Sequence, residues 1–257
     1  MERETKIMGI LNVTPDSFYD GGRFESDDLV SAARQMVKDG ATILDIGGES
    51  TGPGSVDVSL EEELLRVVPA VRAVRAALPD VMISVDTWKS EVAEAALEAG
   101  AMMINDVTAG RGDERIFGVA ARFGVPIVLM YSKDNSPRTT REDVQYDDVM
   151  AVVVDFLRGR VELAREMGVK EIIVDPGMGA FVSADPLYSW EIIERIEELY
   201  SLGCPVLVGT SRKSFLGEDR LGGTLATTLD LWGRVDFLRV HDVFENSTVC
   251  ASLTIQC

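Results

Sequence analysis

The residues of this chain best suited to chemistry are polar side chains that close apolar runs. Asp86 ends VMISVD at 81–86, Asn105 and Asp106 end MMIND at 102–106, and Asp175 ends EIIVD at 171–175. A carboxylate buried without a donor is costly, so side chains embedded in such runs need partners. Asp86, Asn105 and Asp175 together offer acceptors and an amide donor, a set suited to a flat heterocycle bearing N–H groups. Ser211, Arg212 and Lys213 follow PVLVG at 205–209, and Arg239 and His241 stand at the end of VDFLRV at 235–240. These are groups for an anion. His241 is the only histidine in the chain. A lone histidine is usually structural, but its place two residues after Arg239 favours a ligand contact.

Such residues need a scaffold that brings distant segments to one place. Short runs rich in Ile, Val, Leu and Met recur at 6–12, 42–46, 81–86, 102–106, 126–131, 171–175, 205–209 and 235–240. They read as strands buried on both faces. Amphipathic stretches at 26–39, 59–78, 89–99, 113–123, 144–167, 186–201, 223–233 and 243–252 read as helices. Ser26 and Ser59 are N-cap residues, Glu62 completes a capping box, and Gly40, Pro79 and Gly100 are stops. Asn246, Ser247 and Thr248 weaken the last helix. The alternation predicts an α/β fold, a (β/α)8 TIM barrel, with residues 1–257 as a single domain; a doubly wound open sheet is the alternative. In the barrel the strand ends form one rim. Asn12, Asp45, Glu49 and Tyr131 would join it, and loops 13–23 and 47–59, rich in Gly, Pro, Ser and Thr, would close over it.

The formal net charge of −18 excludes nucleic acid and anionic membrane as partners, since both require basic surface. Cys204, Cys250 and Cys257 are odd in number and unpatterned, which opposes a disulfide framework. With no signal-like start and no apolar run of membrane-spanning length, a reduced, cytoplasmic setting is expected.

The segments NVTPDSFYDGG at 12–22, DIGGEST at 45–51, SVDT at 84–87, IND at 104–106, DPGMG at 175–179, SRKSFLG at 211–217 and RVHDV at 239–243 resemble the motifs of dihydropteroate synthases, in the same order. Each is short; their common order is specific. The resemblance implies a pterin-binding barrel that joins a pterin diphosphate to p-aminobenzoate in folate biosynthesis, with Mg²⁺ as the metal and a homodimer as the assembly. It implies that Asp86, Asn105, Asp175, Lys213 and Arg239 hold the pterin. Catalysis would fall to Asp86, Asp175, Lys213 and Arg239. Thr51, Pro53, Ser211 and Lys213 would surround p-aminobenzoate. Asn12, Arg239 and His241 would meet the diphosphate, and Asn12 also the metal.

Three positions depart from the family pattern. Gly52 stands where an arginine is usual, and Arg23 is a candidate to replace it. Tyr131 stands where a histidine is common. The run DPGMGAFVSADP resembles the loop of sulfonamide-insensitive members, which makes Phe181 a p-aminobenzoate contact and a drug-excluding wall. A pterin-dependent methyltransferase and a catalytically idle pterin-binding protein are the rival readings.

Overall fold

Parallel strands that receive helices on their outer face can be apolar on both faces, and the strands of this chain are mainly so, with polar residues toward their C-terminal ends. The computed structural model describes residues 3–14, 19–20, 23–24 and 26–254. Strands β1 (Lys6–Asn12), β4 (Ile43–Gly47), β5 (Met82–Asp86), β6 (Met103–Asp106), β7 (Ile127–Met130), β8 (Ile172–Asp175), β9 (Leu207–Val208) and β10 (Phe237–Val240) pair in parallel, each next to its neighbour in the chain. The bridge between Val174 and Val206 joins β8 to the start of β9 and completes the ring. The barrel prediction holds and the open sheet is set aside. A two-residue pair, β2 (Tyr19–Asp20) with β3 (Arg23–Phe24), forms a hairpin inside the first loop. Residues 15–18 and 21–22 of that expected lid, and the side chain of Arg23, lie outside the described residues.

Eight α-helices among the described residues surround the barrel: α1 (Ser26–Lys38), α2 (Leu60–Ala77), α3 (Ser90–Glu98), α4 (Arg115–Phe123), α5 (Val149–Glu166), α6 (Pro186–Glu194), α7 (Arg220–Leu231) and α8 (Val243–Thr254). Ser59 caps α2 by accepting from the Glu62 N–H at 3.2 Å, as its spacing predicts. The helix expected over 144–167 begins only at Val149, because Asp148 caps it through the Ala151 N–H at 3.0 Å. The helix expected over 223–233 starts earlier, because Asp219 caps it through Gly222 at 2.8 Å. The stretch 186–201 is not one helix. It tightens after Glu194 into a 3₁₀ turn over Ile196–Leu202. Buried Ile196, Leu199 and Leu202 are spaced by three, the repeat of that tighter helix.

Strand periodicity divides the barrel interior into layers. Met8, Ile43, Met103, Val128, Ile173 and Leu207 form one buried apolar cluster from six strands, with Met82 and Phe237 against it. Two residues further along the same strands stand Ile10, Asp45, Ser84, Asn105, Met130, Asp175, Gly209 and Arg239. Asp86 is another two along β5. The apolar layer is the floor, and the polar residues form the mouth at the strands' C-terminal ends.

Candidate active site

A cavity of about 160 Å³ opens at this mouth. Asp86, Asn105 and Asp175 line it together with Lys213, Arg239, Ser211 and His241, and Thr51, Phe181 and Met130 complete the wall. Nine of the eleven expected site residues therefore meet in one space. Asn12 and Pro53 do not line it. Asn12 is exposed at the end of β1. Pro53 lines a neighbouring cavity with Thr14, Gly52 and Arg66. No described base stands free there to take the place of an arginine at Gly52: Arg66 is committed to Glu62 at 2.7 Å and to the Gly48 carbonyl at 2.8 Å.

Arg239 bridges two acids, donating through Nε to Asp45 at 2.6 Å and through Nη2 to Asp86 at 2.6 Å. Burial pushes the Asp86 carboxyl up to about 7 against the lowering pull of Arg239, while Asp45, Glu63 and Asp106 add repulsion. Burial also raises Asp175 to about 6, opposed by the Gly177 N–H at 2.8 Å and by Lys213 and Arg239. That N–H depends on Gly177 itself, whose φ is +68° and whose missing Cβ would stand 2.3 Å from the Tyr131 carbonyl oxygen. Lys213 falls to about 8 through burial, with Asp175 and Asp86 pulling the other way and Arg239 adding to the fall. Its ammonium sits 4.3 Å from the centre of the Phe181 ring, a cation–π contact. The turn that presents Ser211 and Lys213 passes through Arg212 in a left-handed conformation, φ +59°. The Thr224 hydroxyl holds it by accepting the Arg212 N–H at 3.1 Å.

His241 is held neutral, lowered to about 4 by burial and by nearby Arg239 and Arg212. Ser211 Oγ accepts the His241 backbone N–H at 3.1 Å and lies 3.0 Å from Nδ1. In the neutral tautomer whose Nδ1 accepts the serine hydrogen, Nε2 is an N–H donor for an anion.

Several rim residues serve the frame instead. Asp106 caps its own turn, accepting from Thr108 N–H at 2.8 Å and Gly110 N–H at 2.6 Å. Tyr131 turns into the core, stacks edge-on against Phe156 and bonds Tyr146 Oη at 3.1 Å. Glu49 pairs with Lys89 at 2.5 Å and with Arg138, and Lys89 also pairs with buried Glu63. Through these contacts the second loop, expected as a lid, is tied to the loop after β7. Arg138 and Lys89 hold the Val56 and Val58 carbonyls at 3.2 and 3.0 Å, and Thr51 O accepts from Thr139 N–H at 3.1 Å. Read only as single charges in the sequence, Lys89 and Arg138 carried no signal of this clamp. Asp45 was legible only as a strand end.

A family model described as "Pterin binding enzyme" matches residues 8–241. The dihydropteroate synthase of Clostridium beijerinckii is 43% identical over 255 residues, 95% of this chain and 91% of that one. The chain belongs to the dihydropteroate synthase family. The family's Bacillus subtilis representative is likewise 43% identical, over 94% of this chain and 85% of its own. Among solved structures, a Xanthomonas albilineans dihydropteroate synthase with 4-aminobenzoic acid superposes at a TM-score of 0.88 with 37% identity, covering 99% of this chain and 94% of that one. A Clostridium difficile dihydropteroate synthase solved with pteroic acid gives 0.88 and 40%, covering 99% and 97%.

Proposed function

We infer that the chain is a dihydropteroate synthase, joining 6-hydroxymethyl-7,8-dihydropterin diphosphate to p-aminobenzoate to give 7,8-dihydropteroate and diphosphate. The observation that carries this reading, beside family membership, is one cavity lined both by acids and an amide, Asp86, Asp175 and Asn105, and by Lys213, Arg239 and His241. Neither rival accounts for both sets as well: a methyltransferase needs no diphosphate grip, and an idle binder needs no cations aimed at a leaving group.

In this reading Asp86, Asn105 and Asp175 take the ring N–H groups, and the two carboxylates favour positive charge in the ring. The bond between the pterin methylene and the diphosphate oxygen breaks, and its electron pair leaves with the diphosphate. Arg239 and neutral His241 stabilise that departing charge. The arylamine nitrogen of p-aminobenzoate then bonds to the methylene carbon and releases a proton. Thr51, Pro53, Ser211, Lys213 and Phe181 would surround the arylamine, and the walls exclude water that would trap the cation.

Magnesium fits as an ion carried by the substrate. Among the described residues no cluster of three histidine, cysteine or carboxylate side chains converges as a metal site. Asn12 offers one exposed amide oxygen at the end of β1, and Mg²⁺ is commonly held by one or two protein oxygens, waters and substrate phosphates. Asn12 would hold it with the diphosphate, where it would neutralise charge on the leaving group.

Phe181, 9% exposed and packed with Val107 and Met130, supports a reading in which the wall rejects the bulkier sulfonyl group of sulfonamides. Exposed Leu221 and Leu229 on α7 and Phe244 on α8, two helices that pack together, support a reading in which the chain forms a homodimer. No helix among the described residues is long and apolar enough to cross a membrane. The buried free thiol of Cys204 fits a cytoplasmic setting. The deciding experiment is diphosphate release with both substrates, with and without Mg²⁺. Release that depends on p-aminobenzoate supports the reading; no release with both substrates and Mg²⁺ present sinks it.

A further inference from the structure

Asp45 lies in the middle of β4, fully buried, on the same layer as Asn105 and Arg239, but is not among the residues that line the cavity. A carboxylate in that position requires compensation. It comes from two site residues distant in sequence: Oδ2 accepts from Asn105 Nδ2 at 2.9 Å and from Arg239 Nε at 2.6 Å. We propose that Asp45 is a positioning residue for the pterin half of the reaction, fixing the Asn105 amide and the Arg239 guanidinium in the orientations that meet the ring.

The chemistry of the groups makes the orientation one-way. An ionised carboxylate only accepts, so Asn105 must turn its NH₂ toward Asp45. Its carbonyl oxygen is then the end left for the cavity, as an acceptor for a ring N–H. Without Asp45 the amide could present either end. Arg239 is fixed in the same way: Nε rests on Asp45 and Nη2 on Asp86, so two carboxylates set the guanidinium plane. This divides the labour between the acids. Asp86 both lines the cavity and holds Arg239, whereas Asp45, outside the lining, serves only to hold Arg239 and Asn105.

A comparison within the molecule argues against a purely structural role. Asp106, equally buried, has both oxygens satisfied by its own turn. Asp45 Oδ1 has no hydrogen-bond partner among the described residues, nor does Ser84 Oγ, its neighbour in register. The fold bears that cost at a residue whose only side-chain donors among the described residues are two groups of the site.

The proposal rests on the pterin reading of the cavity. In Asp45→Asn the KM for pterin diphosphate is expected to rise about tenfold or more, the loss typical of a hydrogen bond to a charged group, while the KM for p-aminobenzoate stays within about twofold. The double variant Asp45→Asn/Asn105→Ala should lose less than the product of the two single losses. An unchanged pterin KM in folded Asp45→Asn, or losses that simply multiply, overturns the proposal. Should Asp45→Asn not fold, the wild type decides: the Asn105 side-chain amide protons, followed by NMR with ¹⁵N-asparagine, are expected to exchange with solvent slowly. Exchange at the rate of a free amide refutes the contact. Wild-type enzyme inactive with both substrates would instead refute the function, and the NMR result on Asp45 would stand apart from it.

Discussion

Asp175 meets the strongest chemical demand of any single side chain here. Its carboxyl is buried and raised to about 6, with one oxygen held by the Gly177 N–H at 2.8 Å and the rest of the group facing the cavity. Replacement by asparagine keeps an acceptor for Gly177 and removes the negative charge. Asp175→Asn should therefore fold normally by circular dichroism and lose about 10²–10³-fold in kcat, the range seen when one transition-state electrostatic contact is removed. Near-normal turnover would end the idea that this carboxylate favours a cationic ring. Phe181 acts by volume instead of charge. In Phe181→Gly sulfamethoxazole should inhibit at much lower concentration than in the wild type, read as the inhibitor concentration that halves diphosphate release. A wild type already strongly inhibited would remove the wall from the account. At this scale the sequence was a good guide to which polar side chains line the cavity, because Asp86, Asn105, Asp175 and Arg239 stand in apolar runs and Lys213 follows one. It was a poor guide to Asp45, whose meaning is a contact with residues 60 and 194 positions away.

Elements were legible wherever a period and a stop signal agreed. Ser59 and Glu62 marked the start of α2, and every barrel strand falls on one of the expected apolar runs. The second loop was not legible as a clamp. Its composition suggests a lid, yet Lys89 enters from the segment before α3 and reaches Glu49, Glu63 and the Val58 carbonyl at once. Composition says nothing about a partner forty residues on. The exposures of Lys89, Glu49 and Glu63 are 10%, 3% and 0%, so solvent cannot replace the lysine. Lys89→Met leaves two acids facing each other and should cost about 3–5 kcal/mol. At this chain length that is a fall of roughly 10 °C in Tm. Adding Glu63→Gln removes one stranded charge and should restore part of the loss. A double variant no more stable than Lys89→Met would mean that the buried pair is not what holds the loop.

On the scale of the whole molecule, a chain of net charge −18 must gather cations where an anionic substrate binds, and does so by placing them among acids in the barrel mouth. That arrangement is costly without a ligand. Asp86 is raised to about 7, and Asp175 and Asp106 to about 6, from an ordinary 3.8. A carboxyl whose folded value is raised contributes stability that is complete below its unfolded value and is lost as pH rises through the folded one. His241, lowered from 6.5 to about 4, works the other way: its contribution is complete above 6.5 and is lost as pH falls through about 4. Three raised carboxyls outweigh one lowered imidazole, so the ligand-free protein should be more stable at pH 5 than at pH 7.5. Lys213, lowered from 10.5 to about 8, is mainly charged throughout that window and does not reverse the trend. In Asp86→Asn the largest of these contributions is gone. At pH 7.5 the variant should melt several degrees above the wild type, its Tm should depend less on pH, and it should bind the pterin diphosphate weakly. Thermal melts of both proteins across pH 5 to 7.5 test this. A wild type whose Tm falls toward pH 5, or an Asp86→Asn variant less stable than wild type at pH 7.5, would mean that the acids at the mouth are not strained in the empty enzyme, and that substrate binding relieves nothing there.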